Sequence, residues 1–345
     1  MGEYLLAEKP CLDELHALGW AVMPPKANEQ ARDGLNQVIL RDTFIEAIQR
    51  INSVDEDTAR AVYYDMLHVN DNQQWTKLLR GDYSRTVPGQ RDKKTIRLID
   101  FTNTNNNQFT VTSQLYVEAQ KCRIPDVVLY VNGIPLVVIE AKSPISGKDK
   151  SGEAFDQIKQ YERDIPRLFY SNAFNIVTDG INFIYGATGS PSDFWGTWRD
   201  PWPKREVDFT NALAKGLYCL CEPSRLLDLL AHFIVFETDP DSGATIKKIC
   251  RYQQFRAVNK IYERLSGGKK GRKGLIWHTQ GSGKSLTMVN ATLKLRAHYT
   301  SAEAANPSIL VLTDRVDLDD QISKTFIACG LPNPTQVESL KDLRT

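Results

Sequence analysis

Hydrophobic spacing changes along this chain, and the changes mark its elements. Leu5, Leu12, Leu15 and Leu18 recur with acids between them, predicting an amphipathic helix over 4–18 that ends near Gly19. Further helices are predicted over 31–51 and 58–69. Segments 95–100 and 108–118 alternate as strands do, on either side of the polar tract 103–108. Two β-branched runs, 127–131 and 136–139, then flank Asn132-Gly133, the strongest short-range hairpin signal a sequence offers. A helix over 153–165 follows, then a second hairpin from 175–177 and 182–185 around Asp179-Gly180, and an apolar helix over 226–236. Beyond the loop 237–243 come a strand at 275–277, a glycine loop with a long helix, and a strand at 308–313 leading to a helix over 317–326. Three parts result: 1–225, a linker 226–250, and 251–345.

Composition narrows the class. At 345 residues the chain suggests two domains, and 25% charged with 41% hydrophobic residues is ordinary for a globular protein. A net charge of +1 gives no global basic field, so local patches must supply any phosphate contacts. No run approaches the roughly 18 apolar residues of a membrane span, and acids occupy the N-terminus where a signal peptide needs an apolar core. Six cysteines show no CxxC pair and no histidine at zinc spacing, which reads as a cytoplasmic chain with reduced thiols. Cys219 and Cys221 read as core. Trp195, Trp198 and Trp202, among prolines and arginines, could stack bases, but Trp with Pro favours a packed loop. The basic run 269–273 reads as a solvated loop.

The hairpin carries ionisable groups at its ends: Asp126 opens the first strand, and Glu140 and Lys142 close the second. Two carboxylates on neighbouring strands can hold Mg²⁺ with water and phosphate completing the octahedron. An adjacent lysine can orient the attacking water or offset phosphate charge. Glu140 and Lys142 share a face by strand parity. Asp126 joins them only if the pairing is irregular. A two-residue turn with unbroken pairing sets Asp126 against Ile139, whereas one extra residue, in the loop or a bulge, sets it against Glu140. Pro135 cannot donate to a ladder and favours such an irregularity.

The second anchor is His278-Thr279-Gln280-Gly281-Ser282-Gly283-Lys284-Ser285. Consecutive backbone N–H groups at a helix start can cradle phosphates. Lys284 would reach the β/γ-phosphates of ATP and Ser285 would ligate Mg²⁺. His278 stands where a Walker A motif has its first glycine.

Pro125-Asp126 with Glu140-Ala141-Lys142 resembles the PD-(D/E)xK nuclease superfamily. Gln157 and Tyr161, on one helix face, resemble the QxxxY motif accompanying that core in type I restriction enzymes. The glycine loop with 308–315 resembles motifs I and Ia of superfamily 2 helicases. Arg251-Tyr252-Gln253-Gln254-Phe255-Arg256-Ala257 resembles their Q motif, in which Gln254, by the Q-x-x-A spacing, would read adenine. In this order the motifs resemble the restriction (motor) subunit of type I restriction–modification enzymes. That resemblance implies an α/β fold: an N-terminal PD-(D/E)xK domain with a mixed sheet flanked by helices, then the start of a RecA-like P-loop domain. It implies a catalytic set of Asp126, Glu140, Lys142, Gln157 and Tyr161, with metal at Asp126, Glu140 and Ser285. ATP would be bound by Gly281, Ser282, Gly283, Lys284, Ser285 and Gln254. Mg²⁺ and ATP are the implied cofactors. Double-stranded DNA and methylation and specificity subunits are the implied partners, with no membrane. Glu14 is either a solvated helix residue or the helix-borne acid such nucleases bring to the metal. An acidic DExx segment and a second motor lobe are absent, so a fragment with an incomplete motor is expected, binding ATP weakly without useful hydrolysis. A repair-type helicase–nuclease shares both modules. An ATP-driven remodeller with a non-catalytic nuclease-like domain is the other alternative.

Overall fold

The oily hairpin sits at the centre of a six-stranded mixed sheet in the computed structural model, which describes residues 7–89, 91–143, 151–179, 182–239, 242–267, 273–298, 307–331 and 335. Strands of the first part are β1 (Ala21–Met23), β2 (Ser84–Thr86), β3 (Lys93–Thr95), β4 (Phe109–Ser113), β5 (Val127–Val131), β6 (Ile134–Ala141), β7 (Phe174–Thr178) and β8 (Phe183–Ala187). The sheet runs β1-β4-β5-β6-β7-β8, with β2 and β3 paired apart from it. β1 with β4 and β6 with β7 are parallel, and the other neighbours antiparallel. Helices α1 (Lys9–Ala17), α2 (Pro25–Gln30), α3 (Arg41–Asn52), α4 (Glu56–Leu67) and α5 (Asn72–Leu79) precede the hairpin. α6 (Ser151–Asp164) and α7 (Pro166–Tyr170) make the crossover from β6 to β7, and α8 (Ala212–Cys221) and α9 (Pro223–His232) follow β8. The chain divides into two compact units, Met1–Ala231 and His232–Thr345.

Every residue of β5 and β6 is buried. With both faces covered, hydrophobic alternation cannot choose the register. The turn and a bulge choose it instead. Asn132 and Gly133 have φ of 52° and 77°, the two positive values of a type I′ turn. Asn132, fully buried, donates to the Leu98 carbonyl at 3.0 Å and accepts from the Gln108 N–H at 2.8 Å. Gly133 accepts from the Leu40 N–H at 2.9 Å, and a Cβ there would meet the Leu40 carbonyl oxygen at 2.6 Å. Val131 pairs with Ile134 and Tyr130 with Pro135, but Leu129 pairs with Val137. Leu136 is therefore the extra residue, beside the proline that cannot donate. Val127 pairs with Ile139, so the next step sets Asp126 against Glu140. The expected irregularity is present, as a bulge that follows a regular two-residue turn.

Other elements were shortened by side chains competing for backbone groups. The helix expected over 31–51 starts only at Arg41, because Gly34 takes φ of 102° and Arg32 turns its guanidinium onto the carbonyls of Asn28, Gln37 and Tyr116. The strand expected over 95–100 stops at Thr95, since the Asn52 side chain captures the Arg97 N–H and carbonyl. β4 ends at Ser113, where Gln114 adopts φ of 50°. The tryptophan segment packs as a loop: Trp195 lies against Gly186 and edge-on to Phe155, while Trp198 is buried beneath Arg225. Cys219 and Cys221 are buried on α8, and burial pushes the Cys219 thiol up to about 12. The helix expected over 226–236 ends at His232. Among the described residues no helix is long and apolar enough to cross a membrane.

In the second unit β9 (Ile234–Thr238) and β10 (Thr245–Ile249) form an antiparallel hairpin, followed by α10 (Tyr252–Ser266), α11 (Lys284–His298) and α12 (Val316–Ala328). Val235, Val289, Ile322, Phe326 and Leu331 form its apolar cluster. The strands expected at 275–277 and 308–313 are not formed: Leu275, Trp277 and Leu312 are 85%, 88% and 84% exposed. A strand exists only through hydrogen bonds to a neighbour, and no described residue pairs with either segment. Most of the basic run 269–273 and part of the turn at Asp179-Gly180 lie outside the described residues.

Gly133→Ala should destabilise the first unit by at least about 2 kcal/mol, combining left-handed strain with collision against the Leu40 carbonyl. Urea unfolding followed by tryptophan fluorescence measures this, with a lowered midpoint expected.

Candidate active site

The β5–β6 bulge gathers the carboxylates at one end of the central strands. Glu140 has no exposed surface, and its Oε1 accepts from Lys142 Nζ at 2.5 Å. Its Oε2 is buried and accepts no hydrogen bond from the described residues. Burial and the nearby Asp126 carboxylate push the Glu140 carboxyl up to about 8, against the downward pull of Lys142. Asp126 Oδ2 accepts from the Ala141 N–H at 2.9 Å, which fixes the first carboxylate to the strand carrying the second. Lys142 supplies one positive charge to this pair, and a divalent cation would supply the rest, the unpartnered Glu140 oxygen having the character of an open ligand. Among the described residues no group of three or more His, Cys, Asp or Glu is placed to hold a metal. Two carboxylates, with water and phosphate completing the shell, are what these residues can offer.

Lys142 is held from both sides, donating to Glu140 Oε1 and, at 2.6 Å, to Gln157 Oε1 on α6. Gln157 Nε2 donates to the Tyr161 hydroxyl at 2.5 Å, and that hydroxyl donates onward to the Ile124 carbonyl at 3.4 Å. Gln157 and Tyr161, one helical turn apart, thus run a hydrogen-bonded chain from the end of β6 back to the residues entering β5. Burial, with the acids Glu140 and Asp126, raises the Tyr161 phenol above its usual range, so it stays protonated and able to donate. All five predicted residues are brought together. An open cavity of about 750 Å³ beside Gln157 and Tyr161 is lined by Arg123 and Arg163 but also by Glu153 and Asp156, so it carries no single sign of charge.

Glu14 lies on α1, in the half nearer its C-terminus. The acid from this region that bonds toward the site is Glu8, which accepts from Gln114 Nε2 at 2.7 Å; the same nitrogen lies 3.5 Å from Asp126 Oδ1. Neither Glu8 nor Gln114 belongs to a recognisable motif. Their connection exists only because β4 and β5 are neighbours.

At the glycine loop, Gly281 and Gly283 take φ of 76° and 79°. Ser282 Oγ donates to the Thr279 carbonyl at 2.8 Å, and Lys284 Nζ reaches the carbonyls of His278 and Thr279 at 3.3 and 3.0 Å. Ser285 is the second residue of α11. Gln254 accepts from the Arg251 N–H at 2.8 Å and donates to the Gly283 carbonyl at 3.0 Å. Its amide therefore ties the start of α10 to the glycine loop.

A family model described as the type I restriction enzyme R protein N terminus matches residues 1–194, and a SWI2/SNF2 ATPase model matches residues 253–345. The chain is 34% identical to the type I restriction enzyme HindI endonuclease subunit of Haemophilus influenzae, over 98% of this chain and 34% of that protein. It is 30% identical to a putative type I restriction enzyme MjaIXP endonuclease subunit of Methanocaldococcus jannaschii, over 100% of this chain and 36% of that protein. A Staphylococcus aureus relative, the type I restriction enzyme SauCOLORF180P endonuclease subunit, is 26% identical over 94% of this chain and 33% of its own length. The chain thus spans about a third of the length of the curated relatives it matches. With the family model covering more than half of it, the chain belongs to the type I restriction enzyme R protein family.

Proposed function

We propose that the chain is the N-terminal part of the restriction subunit of a type I restriction–modification enzyme. In this reading 1–225 is a PD-(D/E)xK nuclease domain, 226–250 a linker, and 251–345 the beginning of a RecA-like superfamily 2 motor. The complete subunit would work with methylation and specificity subunits. It would translocate unmodified double-stranded DNA with ATP and cleave it with Mg²⁺, in the cytoplasm. The observation that carries the nuclease half is the bulge at Leu136, which converts a parity mismatch into Asp126 facing Glu140. A structural hairpin has no use for an extra residue whose effect is to set a half-buried acid against a fully buried one.

The chain's own residues divide the work. Asp126 and Glu140 would hold Mg²⁺, which when bound polarises the scissile phosphate and acidifies a water. Lys142, gripped by Glu140 and Gln157, would present its ammonium to the phosphate or the attacking water. Gln157 and Tyr161 would keep that ammonium from swinging into solvent, lowering the reorganisation needed when phosphate arrives. In the second unit the glycine loop would take the ATP phosphates, with Lys284 exchanging its carbonyl partners for phosphate oxygens and Ser285 approaching Mg²⁺. Gln254 would read adenine or hold the loop. Its bonds to Arg251 and Gly283 support the holding role.

Lys142→Met in the complete enzyme should lower DNA cleavage by roughly 10²-fold or more while leaving DNA-stimulated ATPase intact. Lys284→Ala should remove both activities, because cutting follows translocation. Parallel loss of ATPase in Lys142→Met would contradict this division. Gln157→Leu, which frees Lys142 without removing it, should cost about 10–100-fold in cleavage under single-turnover conditions.

A further inference from the structure

Gln114 stands directly after β4 with φ of 50°, a left-handed conformation rare outside glycine and asparagine. Its backbone N–H donates to the Asp126 carbonyl at 2.8 Å, and the Leu115 N–H donates to the Pro125 carbonyl at 3.0 Å. The kink therefore occurs where β4 grips the two residues that open β5. From there the side-chain nitrogen donates to Glu8 Oε1 at 2.7 Å and reaches Asp126 Oδ1 at 3.5 Å. Glu8 is only 4% exposed. Turned the other way, the amide would set its oxygen against two carboxylates, so the pair of acids fixes its orientation. Asp126 Oδ2 is held by the Ala141 N–H, and the Gln114 amide approaches the other oxygen from the β4 side.

We infer that Gln114 is a positioning residue for Asp126, its left-handed backbone aiming one amide that anchors the Asp126 carboxylate against the buried Glu8. Glu8, held to the Gln114 amide at 2.7 Å, is the buried end of this brace. Backbone strain retained beside an acid of the site has a purpose if the amide must arrive from that angle. The inference rests on the nuclease reading of Asp126.

Gln114→Gly separates the two roles of this residue, because glycine accepts the left-handed backbone while deleting the amide. Mn²⁺ titrated by calorimetry into the full chain with a short blunt duplex reads the site, and thermal unfolding reads the fold. In Gln114→Gly the relief of left-handed strain offsets the donor lost from Glu8, so the variant should still unfold cooperatively near the wild-type temperature, yet bind Mn²⁺ about 10–100-fold more weakly, as for other residues that orient a ligand. Glu8→Gln should weaken binding in the same direction. The double variant should be no weaker than Gln114→Gly alone, because both act through one contact. Wild-type affinity in Gln114→Gly, with binding lost in Asp126→Asn, would overturn the role of Gln114 and leave the nuclease reading standing. Unchanged affinity in Asp126→Asn as well would overturn that reading itself.

Discussion

A carboxylate with no exposed surface at the end of a central strand is the constraint to which the rest of the first unit answers. Burying Glu140 unpaired would cost several kcal/mol, and Lys142 compensates one oxygen only. The second acid, Asp126, makes the problem worse, raising the Glu140 carboxyl instead of relieving it. A fold selected for stability alone would place an apolar side chain here. This one spends a bulge, a buried Asn-Gly turn and a braced lysine to keep two acids together. That expense is intelligible if a divalent cation is the missing partner.

Much of this was legible beforehand, for identifiable reasons. Asn132-Gly133 between β-branched runs gave the turn, and strand parity turned the position of Glu140 into a question with two answers. Pro135 indicated which, because it has no N–H to give the ladder. Gln157 and Tyr161 were visible through their resemblance to a QxxxY motif, and helical spacing put them on one face. What could not be read was any contact joining distant elements through an ordinary residue. Gln114 has no motif, and its significance comes from a left-handed backbone and from β4 lying beside β5. Glu14 was the more conspicuous acid on the first helix. Glu8, which makes the connection through Gln114, precedes the helix and looks like any polar residue at an N-terminus.

The second unit illustrates the opposite case. The glycine loop and its helix form from local instructions, two positive-φ glycines and an N-terminal helix turn. The apolar segments at 275–277 and 308–313 carry sound strand patterns but depend on neighbours for hydrogen bonds, and among the described residues none pairs with them. Local signals and pairing signals are thus separable in one chain. Gln254, expected to read adenine, also closes a contact between α10 and the glycine loop.

The most direct test of the central claim is anomalous diffraction at the manganese edge from crystals of this chain grown with Mn²⁺ and a short DNA duplex. The account predicts an anomalous peak in contact with the carboxylates of Asp126 and Glu140, with Lys142 directed at the neighbouring phosphate. A manganese peak elsewhere, with Asp126 and Glu140 unliganded, would contradict it and leave the buried Glu140 without an explanation.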